Sequence, residues 1–138
     1  MAGVANAASL SSQIRIARPT DRLDAVRRFY CEGLGLSELG GFEGHAGYDG
    51  VFVGLPGSDV HLEFTSHRDG SPGAAPSRDN LLVLYVGSAA ERDALAAQLA
   101  ELGVAPVPPE NPYWTEVEAL TFEDPDGWRV VLVPGAGV

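Results

Sequence analysis

At 138 residues, 45% hydrophobic and 20% charged, the chain has the size and balance of one soluble globular domain with a proper core. A formal charge of −10 excludes capture of nucleic acid or an anionic membrane by bulk electrostatics. All nine basic residues are arginine, which excludes lysine Schiff-base chemistry, and the single cysteine, Cys31, excludes an intrachain disulfide or a multi-cysteine metal site.

Residues 1–12, MAGVANAASLSS, are small and apolar and read as a flexible tail. They lack the basic start of a signal peptide, and no apolar run reaches membrane-spanning length, so the expected location is the cytoplasm. QIRIAR (13–18) alternates Ile14 and Ile16 with polar neighbours and reads as a strand. Pro19 and Thr20 break it. DRLDAVRRFYCEGLG follows as a helix, with Asp21 placed to cap it and Leu23, Val26, Phe29 and Tyr30 at helical spacing. Gly33 and Gly35 end it. Strands are expected at 36–41, 49–55 and 59–65, the last two joined by the tight turn PGS.

Residues 66–79, polar and rich in Gly, Pro and Ala, read as a linker. Then the pattern begins again. LLVLYV (81–86) reads as a strand and SAAERDALAAQLAELG as a helix, with a Ser88/Glu91 capping box and Leu95, Leu99 and Leu102 inward. A short strand near 104–107, a proline-rich loop, and the strands EVEALTFED and WRVVLVP joined by the turn DPDG complete the chain.

The order is β-α-β-β-β, linker, β-α-β-β-β. An offset of 68 residues lays GLPGSDVHLEF over FEDPDGWRVVL, bringing Glu63 opposite Val131 and Gln13 opposite Leu81. Internal duplication is the economical explanation. The predicted class is therefore α+β: two tandem βαβββ modules, 13–65 and 80–138, in one structural domain. One helix covers one face of each sheet, and two half-barrels so made enclose a cleft suited to a ligand.

HLEF supplies the sharpest chemistry, because His61 and Glu63 share a strand face. The pair reads as two metal ligands, an acid/base pair, or two polar groups satisfying each other. A carboxylate at 63 facing Ile14 or Ile16, Leu81 or Leu82, and Val131 would suit proton transfer. The alternative is neutralisation by Arg15 or Arg18 from the first strand. Tyr113 and Trp114, in NPYW, offer a rigid aromatic wall or simply a plug for the barrel edge, and Phe52, Phe42 and Tyr48 could face the same cleft. His45 and His67 read as solvated loop residues. Cys31 reads as inert packing, with no group arranged to activate it.

LDAVRRFYCEGLGL, HLEF and FEDPDGWRVVLV together resemble the vicinal-oxygen-chelate superfamily of glyoxalase I, bleomycin-resistance proteins and extradiol dioxygenases, over about residues 13–133. The resemblance implies a half-barrel cleft. In metal-dependent members His, Gln or Glu ligands come from the first, fourth, fifth and eighth strands. Carried over, the fourth-strand ligand is Glu63. The fifth falls on Leu81, beside Asn80, and the eighth on Val131, neither able to coordinate. The first falls on Gln13, Ile14 or Arg15, of which only Gln13 could serve. Zinc-like ions need three or four donors, so the expectation is no metal and no cofactor.

The expected site thus combines Glu63 and His61 as catalytic candidates with Gln13, Arg15, Arg18, Phe52, Asn80, Tyr113 and Trp114 as ligand-binding candidates. The expected partner is a small molecule, not nucleic acid or membrane. The resemblance also implies a homodimer, with modules paired within one chain or across two. Three functions remain open: a metal-free binding protein of the bleomycin-resistance kind, a metal-independent lyase or isomerase using Glu63, and a degenerate metal-dependent glyoxalase or dioxygenase.

Overall fold

The computed structural model describes residues 13–71 and 73–137; the expected tail at 1–12 lies outside them. Strand β1 (Ile14–Pro19) leads into helix α1, Leu23–Arg27, which widens into a π-helical segment, Arg28–Gly33. Strands β2 (Ser37–His45), β3 (Tyr48–Gly54) and β4 (Val60–His67) complete a sheet of order β1-β4-β3-β2, with β1 parallel to β4. The second half holds β5 (Leu81–Tyr85), α2 (Ala89–Glu101), a helical turn α3 (Tyr113–Glu116), β6 (Leu120–Glu123) and β7 (Arg129–Val133). Its sheet has the order β5-β7-β6, with β5 parallel to β7. No helix among the described residues is long and apolar enough to cross a membrane.

Three local expectations are corrected. Asp21 does not cap α1. Thr20 Oγ1 accepts the Arg22 N–H at 2.9 Å, whereas Asp21 Oδ1 accepts from the Ser71 backbone at 2.7 Å. The strand expected near 104–107 is reduced to one bridge, Val107 with Thr121. Proline has no N–H to donate, and Pro106 and Pro108 flank Val107, so only the Val107 N–H can join the ladder, at 2.8 Å. Finally, the strand expected from Glu116 begins only at Leu120, because α3 and its turn consume the preceding residues. The Ser88 cap is found as expected, accepting from Glu91 N–H at 3.2 Å.

Both sheets pack one face against the helices, although Ile14 and Ile16 of β1 stay exposed. Val51, Val53, Leu62 and Phe64 of the first sheet share a core cluster with Phe122, Val130 and Leu132 of the second. Val26, Phe29 and Tyr30 of α1 and Leu99 of α2 close it from the other side. The π-helical widening turns Phe29 and Tyr30 inward together, their rings edge to face at 4.9 Å, and Tyr30 stacks on Phe64 at 4.8 Å. The helices meet at Gly33, where an added Cβ would lie 2.6 Å from Leu99 Cδ2.

A buried polar contact crosses the same seam. In the DPDG turn, Asp124 Oδ1 accepts the backbone N–H groups of Asp126 and Trp128 at 2.9 and 3.0 Å. Its Oδ2 accepts the Tyr30 hydroxyl at 2.7 Å and faces Arg18 Nη1 at 3.4 Å, while Arg18 Nη2 donates to the Tyr30 oxygen at 2.7 Å. The guanidinium lies 4.5 Å above the Trp128 ring. Arg22 adds an exposed clasp, reaching Asp126 at 3.1 Å. Burial, then the neighbouring Asp124 charge, push the Tyr30 phenol far above its usual range, so it stays a fixed donor. Burial also pushes the Asp124 carboxyl up, against the pull of Tyr30, Arg18 and the two backbone donors.

Two outcomes follow for urea unfolding. Tyr30→Phe removes a buried hydroxyl that serves two partners, and should lower stability by about 1–3 kcal/mol. Gly33→Ala should cost a similar amount, about 1–3 kcal/mol, by driving Leu99 from its packed rotamer. Unchanged midpoints in both variants would mean that the two modules do not depend on this seam.

Candidate functional site

Side-chain alternation sorts the first sheet into two faces. Parallel pairing sets Arg15 beside His61 and Ala17 beside Glu63, and Phe52 stands across from Glu63 on β3. These side chains occupy the concave face, away from α1. Ile14, Ile16, Leu62 and Phe64 point the other way. The expected aliphatic surround of Glu63 is therefore corrected: its neighbours are Ala17, Phe52 and an arginine.

That arginine organises the face. Arg15 Nε donates to His61 Nε2 at 2.8 Å, which requires the His61 proton to sit on Nδ1. Arg15 Nη1 lies 3.9 Å from Glu63 Oε1, an ion pair longer than a hydrogen bond. The guanidinium stacks 4.7 Å from the Phe52 centroid, and Phe42 and His61 both contact that ring, at 5.9 and 6.0 Å. His61 is buried, at 6% exposure, and the Glu63 side chain nearly so, at 15%; the Arg15 side chain is half open to solvent. Among the described residues, no hydrogen bond reaches the Glu63 carboxylate.

The other candidates fall elsewhere. Gln13 and His61 line one cavity of about 320 Å³ with Ser37, Leu39 and Gly54. Arg18 is drawn to the opposite face by Tyr30 and Asp124, so it holds the seam rather than the cleft. Asn80 accepts from Ser77 at 2.7 Å and shares with Arg18 a cavity of about 160 Å³ at the junction of the modules. Tyr113 and Trp114 pack edge to face at 5.1 Å on α3, and among the described residues their ring contact is with each other. Burial, before any neighbouring charge, pushes the Cys31 thiol up, in keeping with a packing role.

The second module fills the equivalent face. Arg129, beside Leu81 on the concave side, gives Nε and Nη2 to Glu123 Oε2 at 3.1 and 3.0 Å and Nη1 to the Pro108 carbonyl at 2.9 Å. Val131 and Thr121 behind it are buried. Trp114 Nε1 and Thr121 Oγ1 are buried without a hydrogen-bond partner among the described residues. Sequence reasoning missed the Arg129–Glu123 pair, although their places on the two strands flanking the DPDG turn were the available signal.

Strand register also corrects the alignment of the first strands. Arg15 pairs with His61 as Leu81 pairs with Arg129, so Arg15, not Gln13, stands opposite Leu81. The position that the superfamily resemblance assigns to a first-strand ligand is thus held by a guanidinium. Among the described residues, no three of His, Cys, Asp or Glu converge on a point.

Comparison with known proteins agrees with this architecture. The YycE-like N-terminal domain family matches residues 14–65 and the YycE-like C-terminal domain family residues 79–134. The uncharacterized protein YycE of Bacillus subtilis is 50% identical over 128 residues, covering 93% of this chain and 91% of its own. A crystal structure of a Bacillus subtilis YycE protein of unknown function, suggested there to be a glyoxalase or fosfomycin resistance protein, superposes with a TM-score of 0.86 at 50% identity, covering 92% of each chain. A glyoxylase/bleomycin resistance protein/dioxygenase domain from Frankia sp. EAN1pec follows at TM-score 0.70 and 25% identity, over 93% of this chain and all (100%) of that one. TnmS3, an antibiotic binding protein from Streptomyces sp. CB03234, gives 0.66 and 26%, over 93% and 98%. With both halves matched by family and half its residues shared with a full-length relative, the chain belongs to the YycE-like family of the vicinal-oxygen-chelate superfamily.

Proposed function

We propose that the protein binds a small organic molecule on the open concave face of its first sheet, without the metal site of metal-dependent relatives. The observation that carries this reading is Arg15, seated between His61 and Glu63 where a ligand to metal would have to stand. A guanidinium keeps its charge at any physiological pH and cannot donate a lone pair. Leu81 and Val131 add none, so Glu63 and His61 alone fall short of the donors a divalent ion requires. The site instead offers what small-molecule recognition uses: an aromatic floor, Phe52 with Phe42, and a few converging polar groups. The antibiotic-binding description of the Streptomyces relative supports a binding role.

One observation favours a second reading. Glu63 is nearly buried yet receives no hydrogen bond among the described residues, leaving its lone pairs available to take a proton from a bound carbonyl compound. That would make the protein a metal-independent lyase or isomerase.

Calorimetric titration with Zn²⁺, Ni²⁺ and Mn²⁺ tests the metal-free reading. The expected result is no stoichiometric tight binding; a tight site abolished by Glu63→Ala would overturn it. Screening small aromatic antibiotics by calorimetry tests binding itself, with saturable heat that Phe52→Ala weakens as the expected outcome. If a hit is also turned over, Glu63→Gln separates the two readings. A binder should lose only modest affinity, whereas a proton-transfer enzyme should slow by about 10²–10⁴-fold.

A further inference from the structure

We infer that Arg15 is the resident cation of this cleft, and that with Glu63 it selects a neutral, planar ligand group in which a carbonyl stands beside an N–H or O–H. The inference rests on the binding reading above and names its ligand class. It begins from hydrogen-bond capacity. Arg15 uses Nε on His61, and its Nη1, 3.9 Å from Glu63 Oε1, is too distant for a hydrogen bond. The guanidinium carries five N–H donors and the carboxylate about four acceptor sites. Both therefore retain unfilled capacity on one face, side by side.

Charge decides which group can use it. His61 is the acceptor in its bond with Arg15 and so is neutral. The remaining charges, one positive and one negative, lie 3.9 Å apart and cancel. A free carboxylate drawn to Arg15 would meet Glu63 at close range, and an amidinium drawn to Glu63 would meet Arg15. Either like-charge approach is unfavourable where the Glu63 carboxylate is mostly withdrawn from water. A neutral C(=O)–N–H or C(=O)–C–O–H unit satisfies both, its oxygen accepting from Arg15 and its hydrogen donated to Glu63. Planarity follows from Phe52, whose ring lies beneath the guanidinium at 4.7 Å with Phe42 extending the floor.

The same arrangement explains why a dication is not the natural occupant. It would have to enter beside a guanidinium already bonded to one of its two prospective donors. The arginine fork replaces a metal's Lewis acidity with directional donors at fixed positions.

Three aromatic probes of similar size test this: 2-pyridone (neutral donor–acceptor), benzoate (anion) and benzamidine (cation). Each is titrated into the full chain while the His61 and Phe52 resonances are followed by NMR. The expected result is that 2-pyridone binds about tenfold more tightly than either ion. Removing one charge should then invert the order. Glu63→Gln should raise benzoate above 2-pyridone, and Arg15→Gln should raise benzamidine above it. Benzoate or benzamidine leading in the unaltered protein, with shifts at His61 and Phe52, would overturn this inference and leave the binding reading standing. No shift at either residue with any probe would also overturn it, and the antibiotic titration decides separately whether the binding reading falls too.

Discussion

One buried carboxylate holds the two halves in register. Asp124 fixes its own turn with one oxygen, through two backbone N–H groups, and with the other reaches across to Tyr30 and Arg18 of the first module. A carboxylate so enclosed is tolerable only because every neighbour donates to it. The requirement runs both ways. Tyr30 must be turned inward by the π-helical widening, Arg18 must leave β1 on the helix side, and Trp128 must lie flat under the guanidinium. Around this contact the apolar residues of both sheets merge into one core rather than two.

With the helix-side faces committed to that core, the concave faces carry what distinguishes this protein. Each presents an arginine, and the two are used in opposite ways. Arg129 is buried, gripped through two nitrogens by Glu123 and closed over by the Pro108 carbonyl. Arg15 is half open, held along one edge by His61 and only approached by Glu63. The duplicated scaffold thus keeps one half as a packed support and the other as an accessible surface. The proline-rich segment is what closes the second half, and it does so by giving up a regular strand.

Much of this was legible in the residues. Alternation in QIRIAR and VHLEF, helical spacing in LDAVRRFY and the repeated hairpin located nearly every element and the duplication itself. The strand expected near 104–107 failed to form because of proline, whose effect on a ladder depends on which neighbours need its missing donor. Asp21 looked like a cap because of its type, but no side chain caps α1: Thr20 accepts the Arg22 N–H ahead of the helix, and the linker backbone at Ser71 claimed Asp21 instead. The site was only partly visible. Strand parity in the sequence separates Arg15 from Arg18, yet which face would be the cleft depended on where α1 packs. Likewise, Gln13 seemed the first-strand counterpart of Leu81 because the hairpin offset was applied to strands whose own register differs.

β1 therefore serves two masters three residues apart. Arg15 turns to the open face and Arg18 into the seam because an odd spacing on a pleated strand sends side chains to opposite sides. Substitutions at the exposed Ile14 and Ile16 leave both arginines on their own faces, but insertion or deletion of a single residue between the arginines would put both on one side. Either the seam would lose its guanidinium or the cleft would. Among relatives that keep this arrangement, the length of this six-residue strand should be more constant than its composition.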